Sequence, residues 1–266
     1  MPSRLTLLVL LAATPAAAFE SGNATLSWGS LSGDPGTFAG ARTTAEIAQS
    51  AGPWGLQLGL ALSTLTDADQ NSARLLVWRD VGAGFRLALS AARTSDDGAQ
   101  TDNGGLAFHI LRETPGSRID ASIAAPDHLD DTGAFSYDIS GLQRLSPRLD
   151  VVTDLYRLTT DEEFDDFWSI SIGLRYAATE RLTLTATGIR STADDFNFNN
   201  HIAKVGADWA VTDHLTASAS LLHLVTVDDG NQTGLELALR RDFGAGRAPF
   251  DGGPLTDRLT IGAFEP

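Results

Sequence analysis

The sequence predicts an all-β fold: an up-and-down antiparallel transmembrane β-barrel of about fourteen strands. Three observations favour this fold: apolar and polar residues alternate in many segments, these segments are long enough to cross a bilayer, and two kinds of linker alternate between them. Alternation with a period of two is the pattern of a β-strand whose two faces meet different environments. Strands of a soluble β-sandwich alternate as well, so the order of the linkers has to separate the two folds.

The clearest hairpin occupies residues 167–192. Its first arm has apolar residues at every second position from Trp168 to Tyr176, and after a turn at 177–181 the alternation resumes with Leu182. Each arm is about ten residues long, which is the length a tilted strand needs to cross a bilayer. Trp168 and Tyr176 lie at opposite ends of the apolar face, where aromatic girdles at two membrane interfaces would place them.

The linkers fall into an acidic class and a tight class. The acidic linkers contain residues 67–69, 96–102, 127–131, 161–166, 194–195 and 228–229; the tight linkers contain residues 51–53, 81–84, 114–117, 146–147, 177–180 and 211–213. An up-and-down barrel places all connections of one class on one rim, and membrane barrels have short turns on one side and longer loops on the other. Greek-key crossings of a sandwich produce no such order, so we favour the barrel over a secreted soluble β domain.

Fourteen strands are predicted from these patterns. They cover residues 23–31, 38–50, 54–65, 73–80, 85–94, 105–113, 118–125, 134–144, 148–158, 167–177, 181–192, 201–211, 214–226 and 233–243. Two segments fit less well, because Arg42 and Glu46 leave little apolar face in 38–50, and 73–80 is apolar on both faces. Residues 244–266 contain a further alternating stretch, so they form either a periplasmic extension or a closing strand, with sixteen strands as the alternative count.

The first residues predict an export signal. Arg4 precedes an apolar run from Leu5 to Ala13, and small residues at 16–18 provide a cleavage site, so residues 1–18 are predicted to be removed. The mature chain, 19–266, is predicted to be the barrel. It contains no run of about 18 apolar residues, so membrane insertion would require a closed barrel, the other structure that satisfies all backbone groups in lipid.

Composition excludes several classes of function. The formal net charge is −15, which disfavours a nucleic-acid partner. The chain has no cysteine, so disulfides and a lipidated cysteine are excluded, and stability has to come from burial and strand pairing.

Several sequence features together resemble the porin-type outer-membrane β-barrels of Gram-negative bacteria. These features are Leu26-Ser27-Trp28-Gly29 shortly after the signal, the alternating hairpins, and two candidate terminal aromatic residues, Phe243 and Phe264. The resemblance covers nearly all of the mature chain. It implies an outer-membrane channel for small hydrophilic solutes or ions, surrounded by outer-membrane lipid and often assembled as a homo-oligomer. The chain departs from general porins because it has no long inward-folding loop and ends in Glu265-Pro266.

The residues opposite the apolar positions are predicted to line the lumen. The charged candidates are Arg86, Asp120, Asp138, Asp150, Asp154, Arg175, Lys204, Asp208, Glu236 and Arg240. Carboxylates slightly outnumber basic groups here, and with the acidic linkers they predict a weak preference for cations. Asp150 and Asp154 are on one strand and face Arg175 on the next. Alternatively, the charges pair across the wall and close the lumen, which would leave a structural or surface-interaction barrel with acidic loops.

Aromatic residues near the ends of the apolar faces are predicted to form the girdle. They are Trp28, Trp168, Tyr176, Trp209 and Phe243. Trp and Tyr suit this position because their rings are apolar and their N–H or O–H groups reach water.

No catalytic residue, metal site or cofactor is predicted. An enzyme in the barrel wall would need a nucleophile beside a base, and Gly29-Ser-Leu-Ser-Gly33 lacks the G-x-S-x-G spacing. The five histidines have neither H-x-H nor H-x-x-x-H spacing. The acidic linker at 67–71 begins like a calcium-binding loop, but Ser72 replaces the required Gly and Trp78 the required Glu.

Overall fold

The chain forms a closed antiparallel β-barrel of fourteen strands, in which neighbours in sequence pair and β14 pairs with β1. The computed structural model describes residues 20–33, 37–64, 69–96, 101–126, 135–159, 167–193, 198–226 and 230–244. The strands are β1 Ser21–Gly33, β2 Thr37–Ala51, β3 Trp54–Thr64, β4 Asp69–Gly82, β5 Phe85–Asp96, β6 Thr101–Thr114, β7 Ser117–Pro126, β8 Phe135–Ser146, β9 Leu149–Thr159, β10 Phe167–Ala177, β11 Leu182–Ala193, β12 Phe198–Thr212, β13 Leu215–Thr226 and β14 Gly230–Gly244. Within these ranges no helix is long and apolar enough to span a membrane.

The prediction of fourteen antiparallel strands is confirmed, including the two segments that fitted less well. The largest differences are at the starts of β4 and β6, which begin at Asp69 and Thr101 instead of 73 and 105. Both strands extend into residues whose polarity suggested a linker. Strand pairing continues there because it depends on backbone hydrogen bonds and not on side-chain polarity. For example, Gln70 of β4 is opposite Asp96 of β5.

β14 is the closing strand. It pairs with β1 in an unbroken register from Ser21 opposite Gly244 to Gly33 opposite Gln232, which gives fourteen strands and not sixteen. The predicted export signal at 1–18 and the segment 245–266 lie outside the described residues. So do most of the acidic linker residues, since six of the seven internal gaps in the described ranges fall on these linkers.

The two faces of the sheet differ as the alternation predicts. On the outward face large apolar side chains are exposed: Leu89 is 66 % and Ile172 60 % accessible. On the inward face of the same strands, Ser90 and Ser171 are buried. An apolar surface that covers the whole circumference of a barrel requires an apolar environment outside it, because soluble monomers rarely expose contiguous apolar patches above a few hundred Å².

The turn between β4 and β5 depends on glycine. Gly82 and Gly84 have φ angles of 89° and 77°, which L side chains rarely adopt. Asp80 Oδ1 accepts a hydrogen bond from the Gly82 backbone N–H at 2.8 Å. A Cβ at Gly84 would lie 2.1 Å from the carbonyl oxygen of Glu113 on β6, so the tight turn can approach its neighbour only without a side chain.

An apolar cluster lies inside the barrel, on the inward positions of β2, β4, β5 and β6. Its members are Ala48, Leu76, Trp78, Ala88 and Leu111, all at most 4 % exposed. The cluster explains why residues 73–80 are apolar on both faces: one face points outward and the other packs within the barrel. The Trp78 indole lies over Gly55 of β3, where an added Cβ would come within 1.9 Å of Trp78 Cζ2.

We predict that Gly55→Ala destabilises the barrel by about 1–3 kcal/mol, because the methyl group has to displace the Trp78 indole from a packed site. The temperature at which the detergent-purified protein loses its compact gel migration measures this. Gly59→Ala is the matched control, since it is on the same strand and face and its new Cβ would meet no atom closer than 3.7 Å. An equal transition temperature for both variants would contradict the role given to Gly55.

Candidate functional site

The barrel encloses a cavity of about 1010 Å³. Its described wall comes mainly from the inward positions of β1–β4 and β8–β14, with Ala92 from β5 and Pro147, Arg148, Glu180 and Arg181 from two tight turns. Much of the lining is small and polar, as at Thr25, Ser27, Thr185 and Ser218. Barrels of about eight strands are filled by their own side chains and barrels of sixteen leave a channel, so a cavity in a fourteen-stranded barrel agrees with this trend.

The cavity occupies only part of the lumen. Another part of the lumen, called the packed sector below, is filled by the apolar cluster of β2, β4, β5 and β6, with Leu76 and Leu111 at 0 % exposure. No described residue of β6 or β7 lines the cavity. The lumen therefore has a packed sector and an open polar sector side by side.

Charged side chains of both signs line the open sector. The described basic residues are Arg42, Arg74, Arg144, Arg148, Arg175, Arg181, Lys204 and Arg240; the described acidic residues are Glu46, Asp150, Glu180, Asp208, Glu236 and Asp242. Eight basic against six acidic residues give this wall a formal charge of +2, although the whole chain carries −15.

The structure brings six of the ten predicted pore-lining residues to the cavity. They are Asp150, Arg175, Lys204, Asp208, Glu236 and Arg240. The other four occupy inward positions but are not part of the described lining: Arg86, Asp120, Asp138 and Asp154. Asp154 is only 2 % exposed, and Arg86 is paired near the short-turn end, with its Nη1 3.2 Å from Glu113 Oε2 and its Nε 3.9 Å from Asp80 Oδ2.

One ion pair of the wall is deeply buried. Lys204 Nζ on β12 donates to Glu236 Oε2 on β14 at 2.6 Å, and both side chains are less than a tenth exposed. Ser220 on the intervening β13 donates to the same oxygen at 3.4 Å. The three residues link three consecutive strands, so the pair braces the wall as well as contributing to its charge.

Asp150 lies between two arginines. It is in direct register with Arg144 on β8 and with Arg175 on β10. The Arg144 guanidinium donates to both carboxylate oxygens, at 2.9 and 3.4 Å. The sequence indicated Arg175 as the neighbour of Asp150 but gave no reason to choose Arg144 as its ion-pair partner. Together Arg144, Asp150 and Arg175 place two positive charges and one negative charge at the short-turn end of the lumen.

A second charged group of the wall was not among the predicted pore-lining residues. Glu46 on β2 accepts a hydrogen bond from Arg74 Nη2 at 3.2 Å and another from Asn23 Nδ2 at 3.5 Å. Arg42, four residues before Glu46 on β2, also lines the cavity. Both residues were visible in the sequence as charged positions that interrupt the apolar pattern of segment 38–50. They interrupt it because they belong to the inward face of β2.

A serine–histidine pair lies in the packed sector. Ser90 Oγ and His109 Nε2 are 2.8 Å apart on the adjacent strands β5 and β6. Ser90 is 7 % exposed, and neither residue is part of the described cavity lining. The pair thus satisfies two polar groups where side chains fill the barrel.

All five predicted girdle residues occupy outward positions in the strand register. Trp28, Tyr176 and Trp209 are about half exposed, and Trp168 is partly exposed with the Arg190 guanidinium 5.7 Å from its ring centroid. Phe243 differs, because it is 6 % exposed. Trp54, which was not predicted, occupies an outward position at the short-turn end and is 52 % exposed.

Within the described residues no group of three or more His, Asp or Glu side chains is arranged to hold a metal ion. The oxygen ligands of the wall are instead engaged by arginine and lysine, as the pairs above show.

Comparison with known proteins identifies the architecture. No family model and no curated protein matches the sequence. Among solved structures, the barrel is similar to the CymD monoaromatic hydrocarbon channel (TM-score 0.61, 9 % identity, covering 88 % of this chain and 91 % of that chain). It is also similar to a FadL homologue of Pseudomonas aeruginosa (0.60, 10 %, 84 % and 90 %) and to an anion-selective porin from Comamonas acidovorans (0.57, 8 %, 84 % and 98 %).

The chain has the fold of outer-membrane porins and channels. At these identities the likeness establishes the fold alone. Because that fold surrounds its barrel with lipid, it accounts for the exposed apolar residues of the outward face.

We predict that Lys204→Met destabilises the barrel by about 3 kcal/mol, because it leaves the Glu236 carboxylate buried without its cation. The double variant Lys204→Met, Glu236→Leu is expected to regain most of this loss, since no uncompensated charge remains. Urea unfolding of the detergent-solubilised protein gives both values. If the losses of the single variants Lys204→Met and Glu236→Leu simply add in the double variant, the pair does not brace the wall.

Proposed function

We propose that the protein is an outer-membrane channel for passive diffusion of small hydrophilic solutes, with no catalytic role and no cofactor. The observation that carries this proposal is the open sector of the lumen: a cavity of about 1010 Å³ lined mainly by small polar and charged side chains. A water-filled passage needs a polar lining, while the apolar outward face suits lipid. The porins and channels among the similar structures support the same function.

The proposed location follows from the same features. We infer that the barrel spans the outer membrane of a Gram-negative bacterium after cleavage of residues 1–18, with short turns on the periplasmic side. The protein should need detergent for extraction and migrate faster on a gel before heating than after. Recovery in the soluble periplasmic fraction would contradict the proposal.

The ion preference of the channel depends on the charges of both the lumen wall and the linkers. The cation preference predicted from the sequence depended partly on Asp120, Asp138 and Asp154, which do not line the described cavity. The described wall carries +2, so it favours anions, and the acidic linkers are the remaining source of cation preference. We propose a weak cation preference that arises at the linkers and is opposed by the wall.

We predict that Arg175→Gln makes the channel more cation-preferring and that Asp150→Asn makes it less so. Removing Arg175 deletes a positive charge of the lining, whereas removing the Asp150 carboxylate leaves Arg144 without its partner. A unit charge about 8 Å from an ion in water contributes about 0.5 kcal/mol, so each change should alter the cation/anion permeability ratio about twofold.

The measurement is the reversal potential of single channels in a planar bilayer under a salt gradient. Arg112→Gln is the matched control, because Arg112 is exposed on the outward face and its loss changes the net charge equally. Shifts of equal size in Arg175→Gln and Arg112→Gln would show that net charge, and not the lumen wall, sets the preference.

A closed structural barrel is the second candidate, and the packed sector formed by the apolar cluster favours it. The same bilayer recording separates the two functions. Stable insertion without conductance steps would support the closed barrel and would direct attention to the acidic linkers.

A further inference from the structure

A cluster of basic side chains lies on the outward face, towards the barrel end that carries the acidic linkers. It comprises Arg157 on β9, Arg190 on β11, His201 on β12 and His223 on β13, all exposed, and is called the basic patch below. The register joins its members: Arg157 is opposite Trp168 of β10, and Arg190 is opposite His201. The patch therefore spans five consecutive strands.

The patch borders the apolar band of the outward face. Leu155, Val205 and Leu221 occupy outward positions two residues from Arg157, four from His201 and two from His223, and all three are exposed. An arginine that faces lipid is costly at the middle of a bilayer and costs little near its surface. The patch lies towards the ends of its strands, so it is at the depth where this cost is low.

The contacts of the patch also suit the membrane surface. The Arg190 guanidinium lies 5.7 Å from the centroid of the Trp168 ring, and tryptophan is enriched where hydrocarbon meets headgroups. His223 Nδ1 is 3.2 Å from Thr233 Oγ1 on β14, which fixes the orientation of the imidazole. These contacts suit side chains that meet lipid headgroups.

The charge of the surroundings identifies the kind of partner. On β9–β13 no described outward position holds Asp or Glu, and among all described outward strand side chains the only carboxylate is Asp69 on β4. Of its described outward strand positions, a second copy of the barrel wall would therefore bring at most the Asp69 carboxylate to this surface. Outer-leaflet lipid headgroups that carry phosphate would bring several.

We propose that the basic patch binds a phosphate-bearing lipid headgroup of the outer leaflet. The inference depends on the membrane orientation of the proposed function but not on an open lumen. Arginine binds phosphate through two parallel N–H donors, and histidine adds a single donor. Arg157 and Arg190 are on alternate strands and offset by two residues, which places their Cα atoms about 12 Å apart, so they can engage two anionic groups of one large headgroup.

The test compares lipid retention by the full-length, detergent-purified protein. Wild type and the double variant Arg157→Gln, Arg190→Gln are placed in phosphatidylcholine nanodiscs with or without lipid A, a phosphorylated glycolipid, and bound lipid is counted by native mass spectrometry. Wild type should retain lipid A, and the double variant should retain about tenfold less or lower, because a hydrogen bond to a charged group contributes about 1.5 kcal/mol, or about a factor of ten.

The matched control is Arg79→Gln, Arg112→Gln, which removes two outward arginines near the opposite rim. These are also next to aromatic rings, 5.3 Å from Trp54 and 5.2 Å from Phe85. This control variant should retain lipid A as wild type does. Equal retention by all three proteins, or none by wild type, would overturn the proposal.

Two further measurements sharpen the result. Arg157→Lys, Arg190→Lys keeps the charge and should keep most of the binding, which excludes a general loss of structure if the double Gln variant binds nothing. Inorganic phosphate at the same phosphate concentration should not displace lipid A; complete displacement would identify a site for free phosphate and not for lipid. Conductance of the double Gln variant separates this proposal from the channel function. The variant should conduct as wild type does, because both substitutions are on the outward face.

Discussion

Closure of the barrel is the constraint on which the rest of the structure depends. Backbone N–H and C=O groups find no water in hydrocarbon, so each of them has to be bonded to a neighbouring strand. The pairing of β1 with β14 over the whole length of β1 removes the last open edges. With every strand paired on both sides, side chains can point only into lipid or into the lumen, and this explains the period of two along the sequence.

Once the backbone is satisfied, the inward side chains are free to differ from one side of the barrel to the other. Leu76, Trp78 and Leu111 fill one sector, and the absence of a side chain at Gly55 makes room for the indole. Charged residues line the other sector and are held by neighbouring strands, as in the Lys204–Glu236 pair. The cavity is thus smaller than the one a fourteen-stranded barrel could enclose, because side chains fill part of the lumen.

Most of the fold could be predicted from the sequence, because strand pairing and face alternation are local properties. The strand count, the hairpin order and the neighbourhood of Asp150 and Arg175 could all be predicted from it. Alternation shows that Asp154 points inward, but not whether the lumen is open at that height, because this depends on the volumes of side chains across the barrel. The choice of Arg144 as the partner of Asp150 depends on the pairing of β8 with β9, which shifts register between Arg144 and Ser146.

The distribution of charge between the two faces is a consequence of the same geometry. Six arginines occupy described outward strand positions, Arg79, Arg93, Arg112, Arg157, Arg190 and Arg241, against one carboxylate, Asp69. Four of them lie 5.2–5.7 Å from an aromatic ring centroid. Lipid surfaces carry phosphates, which attract guanidinium groups and repel carboxylates. An acidic chain can therefore present a basic surface to lipid, provided that its carboxylates are confined to the linkers, the turns and the interior of the barrel.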